Sequence, residues 1–206
     1  MSLQTEPTVP ARSSATLSYE QFLEVMGEEH VEWVHGEIIK MAPISDEHQD
    51  LGLFLLAVLR PFLEFHELGK LRYEPFQMKT GPDLPGRSPD ILFVATANLG
   101  RLQRTFLDGP ADMVVEIVSP DSQSRDRGEK FSEYERGGVR EYWLLDPLRK
   151  QADFYTRGDD GVFRLLAISD GVFRSNVLPG FWLKTDPLWQ TPLPGTINVM
   201  KELGLI

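Results

Sequence analysis

DMVVEIVSPDSQSRDRGEKFSEYERGGVREYWLLDP, residues Asp112 to Pro147, reads as strand, loop, helix and strand, the pattern of a crossover unit. Met113, Val114, Val115, Ile117 and Val118 form a near-continuous apolar run of the kind found in strands covered on both faces. Glu116 interrupts that run. A carboxylate buried without a partner costs several kcal/mol or stays protonated, so Glu116 calls for a cation, a metal or a donor beside it. The alternative is an acid at a solvated sheet end, paired with an arginine.

Ser119 and Pro120 end the strand, because proline has no N–H for the ladder. Ser124 is the predicted N-cap of a helix running to about Arg136, and Gly137 with Gly138 stops it. On that helix Asp126, Lys130 and Tyr134 fall at i, i+4 and i+8 and share a face. Glu141 to Leu145 then returns as a strand, parallel to the first and beside it.

Working outward toward the N-terminus, Ser88 to Val94 reads as a short buried strand with Asp90 near its start, a second acid at a core strand. Leu71 to Lys79 reads as one strand, followed by a Gly/Pro-rich loop, and Asn98 to Pro110 is an excursion. A long helix from Asp46 to Phe65, capped by Ser45, carries a core stripe at helical spacing that includes Leu51, Phe54, Leu55 and Val58. His48 lies in its first turn, where a histidine is either a polar surface group or a site residue. VEWVHGEIIKM reads as a hairpin turning at His35 and Gly36, with Glu32 and Val34 on one face. Ser18 to Gln21 has capping-box spacing for a short helix that Gly27 ends, and residues 1–16 read as a disordered leader. Beyond Pro147, three extended runs separated by Gly/Asp turns lead to a proline-rich end with exposed-looking Trp182 and Trp189. The expected organisation is a leader 1–16, one domain 17–190 and a tail 191–206.

Composition bounds the function. With no cysteine in 206 residues, disulfides, thiolate zinc sites and cysteine nucleophiles are excluded, and a cytoplasmic location is the default. The longest apolar run, Leu51 to Leu59, is far short of the roughly 20 residues of a membrane helix. The net charge is −10, of which residues 1–50, with ten acids and two bases, carry −8. A broad phosphate-binding surface is disfavoured there, so a polyanion would meet a local basic patch or metal ions. A zinc hydrolase fits poorly, since there is no HExxH and His30 and His35 would face opposite sides of a strand.

Asp90, Glu116 and Lys130 are the residues able to do chemistry. Two carboxylates from neighbouring strands suit magnesium, which favours one or two carboxylates with water and phosphate oxygens, and a lysine beside them could orient an attacking water. Against that stands an ordinary i,i+4 ion pair of Lys130 with Asp126 on a solvated face.

The order of motifs is more specific than this spacing. The hairpin VEWVHGEIIKM, an AP followed by a helix with an early histidine, SPDILFV, the stretch from Glu116 to Pro147 and LPGFWL together resemble the Uma-two family of restriction endonucleases, within the PD-(D/E)XK nucleases. The similarity covers about Leu17 to Leu188. It implies an α/β (α+β) fold with a restriction-endonuclease-like mixed central sheet flanked by helices, and a DNA-cleaving site dependent on magnesium or manganese. Carried across, Asp90 fills the aspartate of the PD half-motif and Glu116 the acid of the (D/E)XK half, the two holding the metal. The motif lysine would stand at Val118; the resemblance moves its role to Lys130, with Asp126, Glu32 and His48 lining the site. Double-strand cleavage implies a homodimer. The alternative is a catalytically inactive nuclease-fold module acting in partner binding or assembly.

Overall fold

The structure, a computed structural model, describes residues 16–26, 30–120 and 122–206. Apart from Thr16, the leader expected over 1–16 lies outside the described residues, as does Gly27. The chain begins with α1 (Tyr19–Val25), whose Ser18–Gln21 capping box is formed in both directions. A hairpin of β1 (Val31–Val34) and β2 (Glu37–Lys40) follows. His35 and Gly36 take φ of 50° and 94° in its turn, the primed geometry that matches strand twist. Then come α2 (Asp46–Phe65), β3 (Gly69–Tyr73), β4 (Gln77–Lys79), β5 (Gly86–Arg87), β6 (Ile91–Ala95), β7 (Phe106–Asp108) and β8 (Met113–Ile117). A π turn, Arg125–Glu129, leads into α3 (Lys130–Gly137), and β9 (Glu141–Asp146), β10 (Gln151–Arg157), β11 (Phe163–Leu165), β12 (Val172–Arg174), β13 (Trp182–Lys184) and α4 (Thr196–Glu202) complete the chain.

Among the described residues, six strands in the order β11-β10-β9-β8-β6-β3 form the central sheet. β8 and β9 run parallel, as a crossover requires, and the other neighbours are antiparallel. A second sheet has the order β2-β1-β5-β4-β7, and β12 pairs with β13. This is the mixed sheet with flanking helices that the motif order implies.

Strand alternation settles what each face of the central sheet meets. Ile91, Phe93, Met113, Val115, Ile117, Trp143 and Leu145 pack with the apolar stripe of α2 in one cluster. Leu92, Val94, Val114, Tyr142 and Leu144 pack with Tyr134 of α3 in another. Glu116 shares a face with Val114 and therefore points toward α3. Val118 continues that face and is 3% exposed within the α3-side cluster.

Three expectations need correction. The stretch 71–79 is not one strand: Pro75, with no N–H to donate, breaks it between Tyr73 and Gln77, and its two halves enter different sheets. Ser124 is not a cap, since it is already helical and its side chain makes no cap bond. The turn is tied one step earlier, where the Ser119 N–H donates to Ser122 Oγ at 2.9 Å and the Ser122 N–H to Ser119 Oγ at 3.2 Å. Trp182 and Trp189 are half-buried, Trp189 because the chain folds back and packs, with Val199 of α4 and Leu203 just beyond it, on the α2-side cluster.

α2 begins as expected: the His48 N–H donates to Ser45 Oγ at 3.3 Å, and the helix runs through Pro61. Ser45→Ala should lower stability by about 1 kcal/mol, read by urea unfolding, since it strips the cap from the turn that carries His48. No helix among the described residues is long and apolar enough to cross a membrane.

Candidate active site

A small cavity opens where the end of β8, the start of β6, the first turn of α2 and the π turn meet. Its free volume is about 30 Å³, room for a water or an ion of similar size. Asp90, Glu116, Lys130, Asp126 and His48 all line it. Glu32 reaches the same cluster from β1 through Lys130.

Asp90 sits just before β6, where chain geometry turns its side chain across to β8. Its Oδ2 accepts from the Ile117 N–H at 2.6 Å, and Oδ1 lies 3.2 Å from Nε2 of His48. The side chain is 12% exposed. Burial pushes its pKa above the ordinary aspartate value, only partly offset by the His48 contact. For His48 the balance is reversed: burial lowers the imidazole pKa, but the bond to Asp90 leaves it raised overall.

Glu116 spends both oxygens on α3. Oε2 lies 3.0 Å from Nζ of Lys130, and Oε1 accepts from the Tyr134 hydroxyl at 2.6 Å. Burial, with the neighbouring charges of Asp126 and Asp90, lifts its pKa well above the usual carboxylate range, against the pull of Lys130. Lys130 is buried, with its amine also 3.3 Å from Glu32 and 3.3 Å from Asp126. Burial alone would lower its pKa, but these three carboxylates hold it well above the ordinary lysine value, so the amine stays charged. The solvated i,i+4 pair with Asp126 is thus replaced by a buried one that includes two acids from other elements. Val118 cannot serve here, being packed in the α3-side cluster; the amine reaches the Glu116 face from the helix instead.

Glu32 is clasped in turn by Arg87, whose guanidinium lies 2.9 Å away and also bonds Glu133 at 2.7 Å. Burial raises the Glu32 pKa, but Lys130 and Arg87 outweigh it and hold the carboxyl below its usual value.

Glu74 is a site residue that pattern reading missed. It stands at the break made by Pro75, its Oε2 3.0 Å from Nε2 of His30. His48, Glu74 and Asp90 each offer a donor atom within 4.8 Å of the others. The expected metal pair was Asp90 with Glu116; among the described residues, the set of three close donors runs from Asp90 to Glu74 and His48, while Glu116 faces Lys130 and Tyr134. Glu74 looked like one position of an alternating strand, and the following proline was the available sign that it was not. Arg87 left no local sign, because its partners are 46 and 55 residues away.

Five carboxylates gather here, those of Glu32, Glu74, Asp90, Glu116 and Asp126, against three permanent cations, Lys130, Arg87 and Arg125. Burial first, and neighbouring carboxylates second, raise the Asp90 and Glu116 pKa values, and the surplus of acids suits a divalent cation with oxygen donors. The donor set therefore fits magnesium or manganese.

Comparison with known proteins gives the family and the fold. The family model described as "Putative restriction endonuclease", Uma2, matches residues 19–186. The uncharacterized protein slr1290 of Synechocystis sp. is 27% identical over 167 residues, covering 78% of this chain and 83% of that protein. A crystal structure described as a putative nuclease belonging to DUF820, from Anabaena variabilis, superposes with a TM-score of 0.69 over 84% of this chain and 97% of that one, at 17% identity. At that identity the likeness speaks for the fold.

Proposed function

Since the chain belongs to the Uma2 restriction-endonuclease family, we propose that it is a magnesium- or manganese-dependent endonuclease hydrolysing DNA phosphodiester bonds at the cavity between Asp90, Glu116 and Lys130. The observation that carries this reading is the buried Glu116–Lys130 pair, 3.0 Å apart, beside Asp90 in a pocket with excess negative charge. A structural ion pair would need no surplus carboxylates around it.

Asp90, Glu74 and His48, whose donor atoms converge, would hold the ion, and Glu116 would face it from the Lys130 side. Such an ion, when bound, lowers the pKa of its water and offsets charge on phosphoryl oxygens. The Ile117 N–H fixes one Asp90 oxygen and leaves the other directed at His48, so the carboxylate is positioned before any substrate arrives. Lys130, held protonated, acts as a donor: it orients the Glu116 carboxyl and pulls its pKa down against burial. It does not serve as the base. Hydrolysis then breaks one P–O bond and leaves a phosphomonoester and a hydroxyl. Cutting both strands of a duplex calls for a second copy of the chain, because the strands run in opposite directions. The absence of cysteine accords with cytoplasmic work on DNA.

Purified protein incubated with supercoiled plasmid and magnesium or manganese should yield nicked and linear DNA, and EDTA should stop the conversion. Plasmid that stays supercoiled with either ion would leave only the inactive, partner-binding module.

A further inference from the structure

A phosphodiester entering this cavity brings negative charge into a ring of carboxylates, so it needs a cation that is not already committed. Lys130 is committed to Glu32, Glu116 and Asp126. Arg87 is closed in by Glu32 and Glu133, and the two histidines face Glu74 and Asp90.

Arg125 is different. It lines the same cavity, yet among the described residues its guanidinium makes no hydrogen bond or ion pair, and its Nε is buried without a partner. Local backbone geometry accounts for its position. In the π turn the Lys130 N–H bonds the Arg125 carbonyl, five residues back. That closure sets residues 125 and 130 over one another on the cavity side. In an α-helix, residues five apart point about 140° away from each other, and Arg125 would turn from the acids. The π turn thus delivers a second, unspent cation beside the Glu116–Lys130 pair.

We infer that Arg125 binds a backbone phosphate of the nucleic-acid substrate at the cavity, a role that rests on the nuclease reading and gives the acidic pocket its anion contact. A planar guanidinium suits the task, since it can meet two phosphate oxygens at once.

Fluorescence anisotropy with a short fluorescein-labelled DNA duplex tests this, using the full chain with calcium in place of magnesium to measure binding without cleavage. Arg125→Ala should weaken binding about tenfold and lower the slope of log Kd against log salt by about 0.9, the signature of one lost phosphate contact. Arg125→Lys should keep the slope, and neither variant should change the melting temperature, because the guanidinium has no partner to lose. Wild-type affinity and slope in Arg125→Ala overturn the inference and leave the nuclease reading standing. Weakened binding with a lowered melting temperature, not rescued by lysine, makes the residue structural and overturns it too. No binding by the wild type sinks both readings.

Discussion

Asp90→Asn should leave the protein folded and reduce plasmid cleavage by about three orders of magnitude, a loss on the scale of removing a preorganised charge from a catalytic centre. The substitution is nearly isosteric. The amide oxygen can still accept from the Ile117 N–H, which the carboxylate does at 2.6 Å, so the junction of β6 and β8 persists. What disappears is the negative charge next to Glu74 and His48. Melting curves separate this from misfolding. With manganese at about a hundred times its dissociation constant, the wild type gains about 2.7 kcal/mol, roughly 5 to 10 °C for a chain this size, and the variant gains little. Equal manganese shifts in the two proteins, or equal cleavage, would remove Asp90 from the site.

Lys130→Met is expected to be the most destabilising change at the site. Methionine keeps the length and apolar stem of lysine but strands Glu32, Glu116 and Asp126 around an uncharged tip. Removing one partner from a buried ionic cluster costs about 3–5 kcal/mol, equivalent to a melting temperature lower by roughly 6 to 20 °C. In the wild type the folded lysine pKa is raised, so its contribution is complete below the unfolded value of about 10.4 and is lost only as pH rises through the folded one. Neutral pH keeps all of it. In the variant the folded Glu116 pKa, already lifted by burial, rises further because the lysine that lowered it is gone. A carboxyl raised in this way stabilises fully below its unfolded value, about 4.3, and loses that contribution as pH rises through its folded value. The deficit of the variant should therefore shrink from pH 8 to pH 5. A gap that stays constant with pH would mean that lost packing, and not stranded charge, dominates.

Much of the scaffold is legible in residue order because it depends on local and periodic signals. The β8 run, the glycine stop after α3 and the β9 run define the crossover, and the even spacing of Val114 and Glu116 already puts the carboxylate on the helix side. Asp90 and Lys130 could be singled out because charged residues at core strands and on an otherwise amphipathic face are conspicuous. Other parts of the site leave weak marks. A π turn differs from an α turn by one hydrogen-bond step, which no residue in Arg125–Glu129 announces, so Arg125 went unread. The Glu32–Arg87 bond joins β1 and β5, neighbouring strands of one sheet whose pairing is a tertiary outcome. The segment after β13 carries Pro187, Pro192 and Pro194 around Trp189 and looks solvated until α2 is there to receive it.

The interrupted stretch from Gly69 to Lys79 belongs to both sheets at once, and Glu74 stands on the seam between them. Its carboxylate thus registers how the smaller sheet is set against the larger. Substitutions outside the acids, in β4, would tilt that setting and move Glu74 while Asp90 stays clamped to β8. Ion preference in this scaffold would then be tunable from a distance, by adjusting a joint and leaving the ligands themselves untouched.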